Sequence, residues 1–151
     1  MIRARSIGRE AALQALYQID LRADLLQPLD QDAIEELIEG SELELIDARA
    51  FAIELIIGTL ANADTIDEEL KTVAINWKLD RMAVVDRNIL RLGTFELLHR
   101  PNIPPAVSIN EAVMLAKKFS TKDSGAFVNG ILDKVHLRHD ESAAVESEAT
   151  E

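Results

Sequence analysis

No cysteine occurs anywhere in the 151 residues, which excludes disulfides, thiolate metal sites and cysteine nucleophiles and fits a reducing compartment. Aromatic residues are nearly as scarce: four Phe, one Tyr and one Trp. Leu, Ile and Ala abound instead, so the core is expected to be aliphatic and helical rather than built from β-branched and aromatic strands. Long apolar runs are also missing. The most hydrophobic stretch, Phe51 to Leu60, is interrupted by Glu54, whereas a membrane span needs ~20 uninterrupted apolar residues. Charged residues near the N-terminus stand where a signal peptide would be apolar. These absences predict an all-α, soluble, cytoplasmic protein without a membrane segment, in one compact domain too short for a large enzyme.

Charge of one sign dominates, and the formal net charge of −11 argues at first against a nucleic-acid binder. Its distribution argues otherwise. Residues 1–9 hold Arg3, Arg5 and Arg9 and no acid; residues 20–69 hold fifteen acids against Arg22 and Arg49; residues 70–138 hold eleven bases against six acids. From 139 to 151 five acids stand without a Lys or Arg, a composition expected to form a disordered tail beyond a domain of residues 1–138.

Hydrophobic periodicity predicts about seven helices and no strand. The first runs from about Ile7 to Arg22 after Ser6, with Ala12, Ala15, Leu16 and Ile19 facing inward, Gln14 and Gln18 outward and Tyr17 at the border. Asp30 caps a short second helix that Gly40 ends. Ile46, Ala50, Ile53 and Ile57 set the inner face of a third, and a fourth runs through Leu70 and Val73 towards Trp77. The strongest extends from about Asp80 to Leu98, with Val85, Ile89, Leu92 and Leu97 on one arc that also contains Glu96, read as a buried structural ion pair or cap. Arg100 to Pro105, with three prolines, is a stiff connection. Ser108 and Glu111 then form a capping box for a helix to about Phe119. Asp123 caps the last helix, Ser124 to Leu137.

No enzyme motif is present: there is no glycine-rich phosphate loop, His-Glu-x-x-His or nucleophile elbow, and His99, His136 and His139 fall at or beyond helix ends. The informative residues are basic or aromatic. Arg3, Arg5 and Arg9 read either as a solvated segment or as an arm that follows a phosphate backbone. Lys117, Lys118 and Lys122, around Phe119-Ser120-Thr121, read either as charges complementing a helix end or, with Ser124 and the backbone amides of the next helix start, as a phosphate-seating corner.

Arg9 to Gln18 (REAALQALYQ), Trp77 to Arg81 (WKLDR), Val85 to Gly93 (VDRNILRLG), Val107 to Phe119 (VSINEAVMLAKKF) and Phe127 to Lys134 (FVNGILDK) together resemble the NusB family. The likeness spans about Ala4 to Val135. It implies two small helical bundles packed together, no catalysis and no cofactor. It also implies a transcription antitermination factor that binds boxA RNA on nascent ribosomal RNA transcripts. The implied partners are NusE, a small-subunit ribosomal protein, and the RNA polymerase elongation complex with other Nus factors. Carried over by position, RNA would be met by Arg3, Arg5, Arg9, Tyr17, Lys117, Lys122, Asp123, Ser124 and Phe127, and NusE by Asp80 and Asp86. Two other readings stand beside this one. A NusB-like domain also precedes certain ribosomal RNA cytosine methyltransferases, but these need a cysteine nucleophile and an α/β cofactor domain, and this chain holds neither. A protein-interaction module or homodimer of the same fold would not bind RNA.

Overall fold

The computed structural model describes residues 2–22, 31–38 and 46–149. Among the described residues seven α-helices follow one another: α1 Ile2–Leu21, α2 Gln31–Ile38, α3 Ile46–Ala61, α4 Ala63–Val73, α5 Val84–His99, α6 Pro105–Phe119 and α7 Ser124–Ala149, with a 3₁₀ turn at Leu79–Arg81 between α4 and α5. No strand occurs among the described residues. Asp30 and Gly40, the expected cap and stop of the second helix, lie outside the described residues.

Helices α1, α2 and α3 pack on one another, α4, α6 and α7 pack with α5, and α5 also touches α1 and α3. This central position explains why α5 buries nine of its residues, Asn88 to Leu90 and Leu92 to Leu97. Its Gly93 lets α6 and α7 close in, since a Cβ there would stand 2.7 Å from a Leu132 methyl. On α3, Gly58 faces the Phe95 ring of α5 with no room for a side chain.

Several local expectations are corrected. The first helix begins at Ile2, so Arg3 and Arg5 are helical and not a loose arm. On α3 the buried residues are Ala48, Phe51, Ala52, Leu55, Ile56 and Thr59, while Ile46 is 84% exposed and Ala50 and Ile57 are exposed as well. A helix apolar on nearly every face gives periodicity no stripe to select. The expected Asp80–Leu98 helix is two elements, because Met82 and Ala83 are extended and leave Asp80 in the 3₁₀ turn. Helix α6 starts three residues before Ser108, at Pro105, where a proline loses no hydrogen bond and its φ is already helical. The Ser108–Glu111 capping box therefore does not form. Helix α7 continues through 139–149, where a disordered tail was expected. Ala and Glu are good helix formers, and His136 and Asp140 pair one turn apart at 3.4 Å.

Candidate nucleic-acid interface

The position of α1 is set by a buried ionic cluster. Arg9 and Glu96 are each 2% exposed, and the Arg9 guanidinium donates from Nε and Nη2 to the two Glu96 oxygens at 2.9 and 2.7 Å. The Ser108 hydroxyl donates to Glu96 at 3.0 Å, and Ser6 donates to Glu111 at 2.9 Å. Glu111 also lies 3.8 Å from Arg9. The two residues of the supposed capping box thus join α1 to α5 and α6. Glu96 is the buried ion pair its place in the apolar arc predicted. Arg9, expected on the RNA side, is its partner and presents no donor at the surface.

A second cluster holds the other end of α1. One Asp20 oxygen accepts from Arg87 at 2.6 Å, Asn88 at 2.8 Å and Arg91 at 3.1 Å, and Arg91 reaches on to Asp67 of α4 at 2.9 Å. Burial pushes the Asp20 carboxyl up, but these hydrogen bonds and the arginine charges outweigh it and hold the group below its ordinary value. The same bond to Asp20 raises the Arg87 guanidinium, against the effect of its own burial.

Between these anchors, the turn joining α6 to α7 meets the start of α5. Ser120 donates to one Asp86 oxygen at 2.6 Å and Ser124 to the other at 3.1 Å. The Thr121 and Ser124 hydroxyl oxygens are 2.9 Å apart, so Thr121 can donate to Ser124. Ser124 is therefore buried and spent within the protein, and half-buried Asp86 organises the corner in addition to any outward contact. Asp123 is exposed. Its carbonyl accepts from the Phe127 amide at 3.3 Å, but among the described residues its carboxylate makes no hydrogen bond, so the expected side-chain cap is absent.

Three shallow grooves converge on this corner. Tyr17, 36% exposed, lines the first with Gln14, Val85 and Phe119. Lys117 and Lys122 line the second, between α6 and α7, with Asn110 and Asn129. Both lysines are exposed, and neither has an ion-pair partner among the described residues. Phe127, half-buried, lines the third with Trp77, Arg81 and Asp86. Arg3 and Arg5 are both exposed but diverge. Two residues apart they point about 200° from one another, and Arg5 sits over the Phe51 ring of α3 at 5.4 Å. Arg3 is within about 40° of Tyr17 around α1. Sequence reasoning missed Trp77, whose exposure no local pattern announced. Asp80 is exposed on the 3₁₀ turn beside this same surface.

These features define a small helical protein with a basic, aromatic-bearing corner on an otherwise acidic body. The NusB family model matches residues 6–137. A transcription antitermination protein NusB from Myxococcus xanthus is 48% identical over 132 residues, covering 87% of this chain and 94% of that protein. One from Geotalea uraniireducens is 46% identical over 136 residues, covering 87% and 93%. Among solved structures, T. maritima NusB superposes with a TM-score of 0.77 at 39% identity over 89% of this chain and 92% of that one. A NusB solved with NusE and double-stranded RNA gives 0.80 at 29% identity over 91% and 99%. The chain belongs to the NusB family.

Proposed function

We propose that this protein is a transcription antitermination factor of the cytoplasm that binds boxA RNA of nascent ribosomal RNA transcripts together with NusE, within the RNA polymerase elongation complex and alongside other Nus factors. The observation that carries the reading is the corner where Tyr17, Lys117, Lys122 and Phe127 gather on grooves around the α6–α7 turn. Two unpaired lysines meet phosphates, and the aromatic rings offer faces to unstacked bases, which single strands present and duplexes do not. Arg3 extends the basic edge along α1, with Arg5 to one side. Ser124 acts indirectly, by bracing the turn, and Asp123 stands beside the path of the strand. Apart from Asp20 and Asp67, which arginines neutralise, the acids of residues 20–69 disfavour RNA along that stretch of the chain, which favours this edge. Asp80, exposed, and the outer side of Asp86 face basic groups of NusE.

The test is binding of labelled boxA, scrambled and duplex RNA to the wild type and to Lys122→Ala. boxA should bind best, and losing one phosphate contact should reduce the salt slope of log affinity by about 0.7. Equal binding of all three RNAs, or an unchanged slope, would contradict the assignment.

A further inference from the structure

We infer that Trp77 is a base-stacking residue, the indole on which a nucleobase of single-stranded RNA rests beside the Phe127 pocket. The inference rests on the RNA-binding reading above and adds to its surface a residue that neither periodicity nor family position indicated.

Trp77 is the largest aromatic in the chain and 59% exposed, against 36% for Tyr17. It stands in the turn after α4, held by its amide, which donates to the Ala74 carbonyl at 3.0 Å. Its ring meets Phe127 at 5.1 Å with the planes 69° apart. A T-shaped contact of this kind occupies at most one face of the indole and leaves the rest open. Trp77 forms part of the wall of two cavities. One, of about 390 Å³, contains Phe127, Met82 and Arg81 and reaches Thr121 and Asp123 of the α6–α7 turn. The other, of about 640 Å³, contains Lys78 and the Asp20–Arg87 pair. The indole is therefore a ridge with space on both sides, continuous on one side with the corner that carries Lys122.

The charges beside it decide between occupants. Exposed Ile75 on the same turn would suit a protein anchor. Lys78, in the wall of the larger cavity, and Arg81, in that of the smaller, are however exposed and have no ion-pair partner among the described residues, while Asp80 lines the first wall and Asp86 and Asp123 the second. An aromatic face bracketed by unpaired cations matches a base with its phosphates, the arrangement by which single strands are held.

Trp77 is the only tryptophan, so its emission reports on this position alone. Wild-type protein is titrated with the single-stranded boxA RNA, with NusE, and with both, while RNA affinity is measured for Trp77→Ala and Trp77→Phe after their helical content is confirmed. RNA should quench the emission, Trp77→Ala should weaken RNA binding roughly 5- to 150-fold, and Trp77→Phe, which keeps a ring, should recover most of the loss. If Trp77→Ala does not fold, the wild-type quenching and the Trp77→Phe affinity decide. Wild-type RNA affinity in Trp77→Ala overturns the stacking role and leaves the proposed function standing. A loss confined to NusE affinity, with emission moved by NusE and not by RNA, overturns it in favour of a protein anchor. If the wild type binds no RNA with or without NusE, both readings fall.

Discussion

Replacing Arg9 by Ala removes the guanidinium from a site where both it and Glu96 are 2% exposed. Glu96 would be left with the single hydroxyl of Ser108 at 3.0 Å. Stranding one member of a buried pair costs about 3–5 kcal/mol. At about 2–4 °C per kcal/mol for a domain of this size, the thermal midpoint should fall by about 6–20 °C. Glu96→Gln should cost less, because Arg9 keeps a carboxylate neighbour in Glu111 at 3.8 Å. Arg9→Met with Glu96→Leu removes both charges at similar volume and should return most of the lost stability, since exchanging a buried pair for apolar side chains is often neutral; the remaining cost is the buried Ser108 hydroxyl left without its acceptor. Thermal unfolding followed by circular dichroism gives the cycle, and boxA affinity is measured on the same proteins. The double variant should bind RNA like the wild type, because no Arg9 donor reaches solvent. A double variant that is stable yet loses RNA affinity would refute this, as would an Arg9→Ala cost below about 1 kcal/mol.

Asp123→Asn should tighten RNA binding, most visibly at low salt, because it removes an exposed charge beside Lys122; with no side-chain cap to lose, the thermal midpoint should stay put, and equal or weaker RNA binding would place Asp123 away from the phosphates. Asp20 has a lowered pKa in the fold, so its contribution is present above the unfolded carboxylate value of about 4 and is lost as pH falls through the lower folded value. Urea midpoints against pH should therefore drop below about pH 4 for the wild type and less steeply for Asp20→Asn; parallel curves would show that the cluster adds nothing. Gly58→Ala forces a methyl into the Phe95 ring and should cost about 1–3 kcal/mol despite alanine's better helix propensity, which a denaturant midpoint would register.

Helix existence and number were legible because long segments with aliphatic periodicity leave few alternatives. Faces and ends were less so. Ile46 and Ala48 differ in nothing local that would bury the second and expose the first; which side of α3 turns inward depends on Phe95 of α5 packing against Gly58. Ser108 and Glu111 have the spacing of a cap, yet both are used by residues about 12 to 105 positions away, Glu96 and Ser6. Glu96 could be read as a buried pair from its place in an apolar arc, but its partner Arg9 lies 87 positions distant. The same distance problem put Arg9 in the basic arm and left Asp86 without the two serines that hold it. Tyr17, Lys117 and Lys122 were legible as surface residues because each sits on a polar helix border or end. Trp77 was not, since its exposure follows from α4 stopping at Val73.

Shared recognition of boxA is tested most directly by boxA affinity in the presence and absence of NusE, paired with NusE affinity in the presence and absence of boxA, at two salt concentrations. This chain offers only a short basic edge, so RNA should bind modestly alone and more tightly with NusE, while boxA strengthens NusE binding by the same factor, as linkage requires. Scrambled RNA should show neither effect. RNA affinity that NusE leaves unchanged, or strengthens equally for scrambled RNA, would contradict the claim that the two proteins read boxA as one surface.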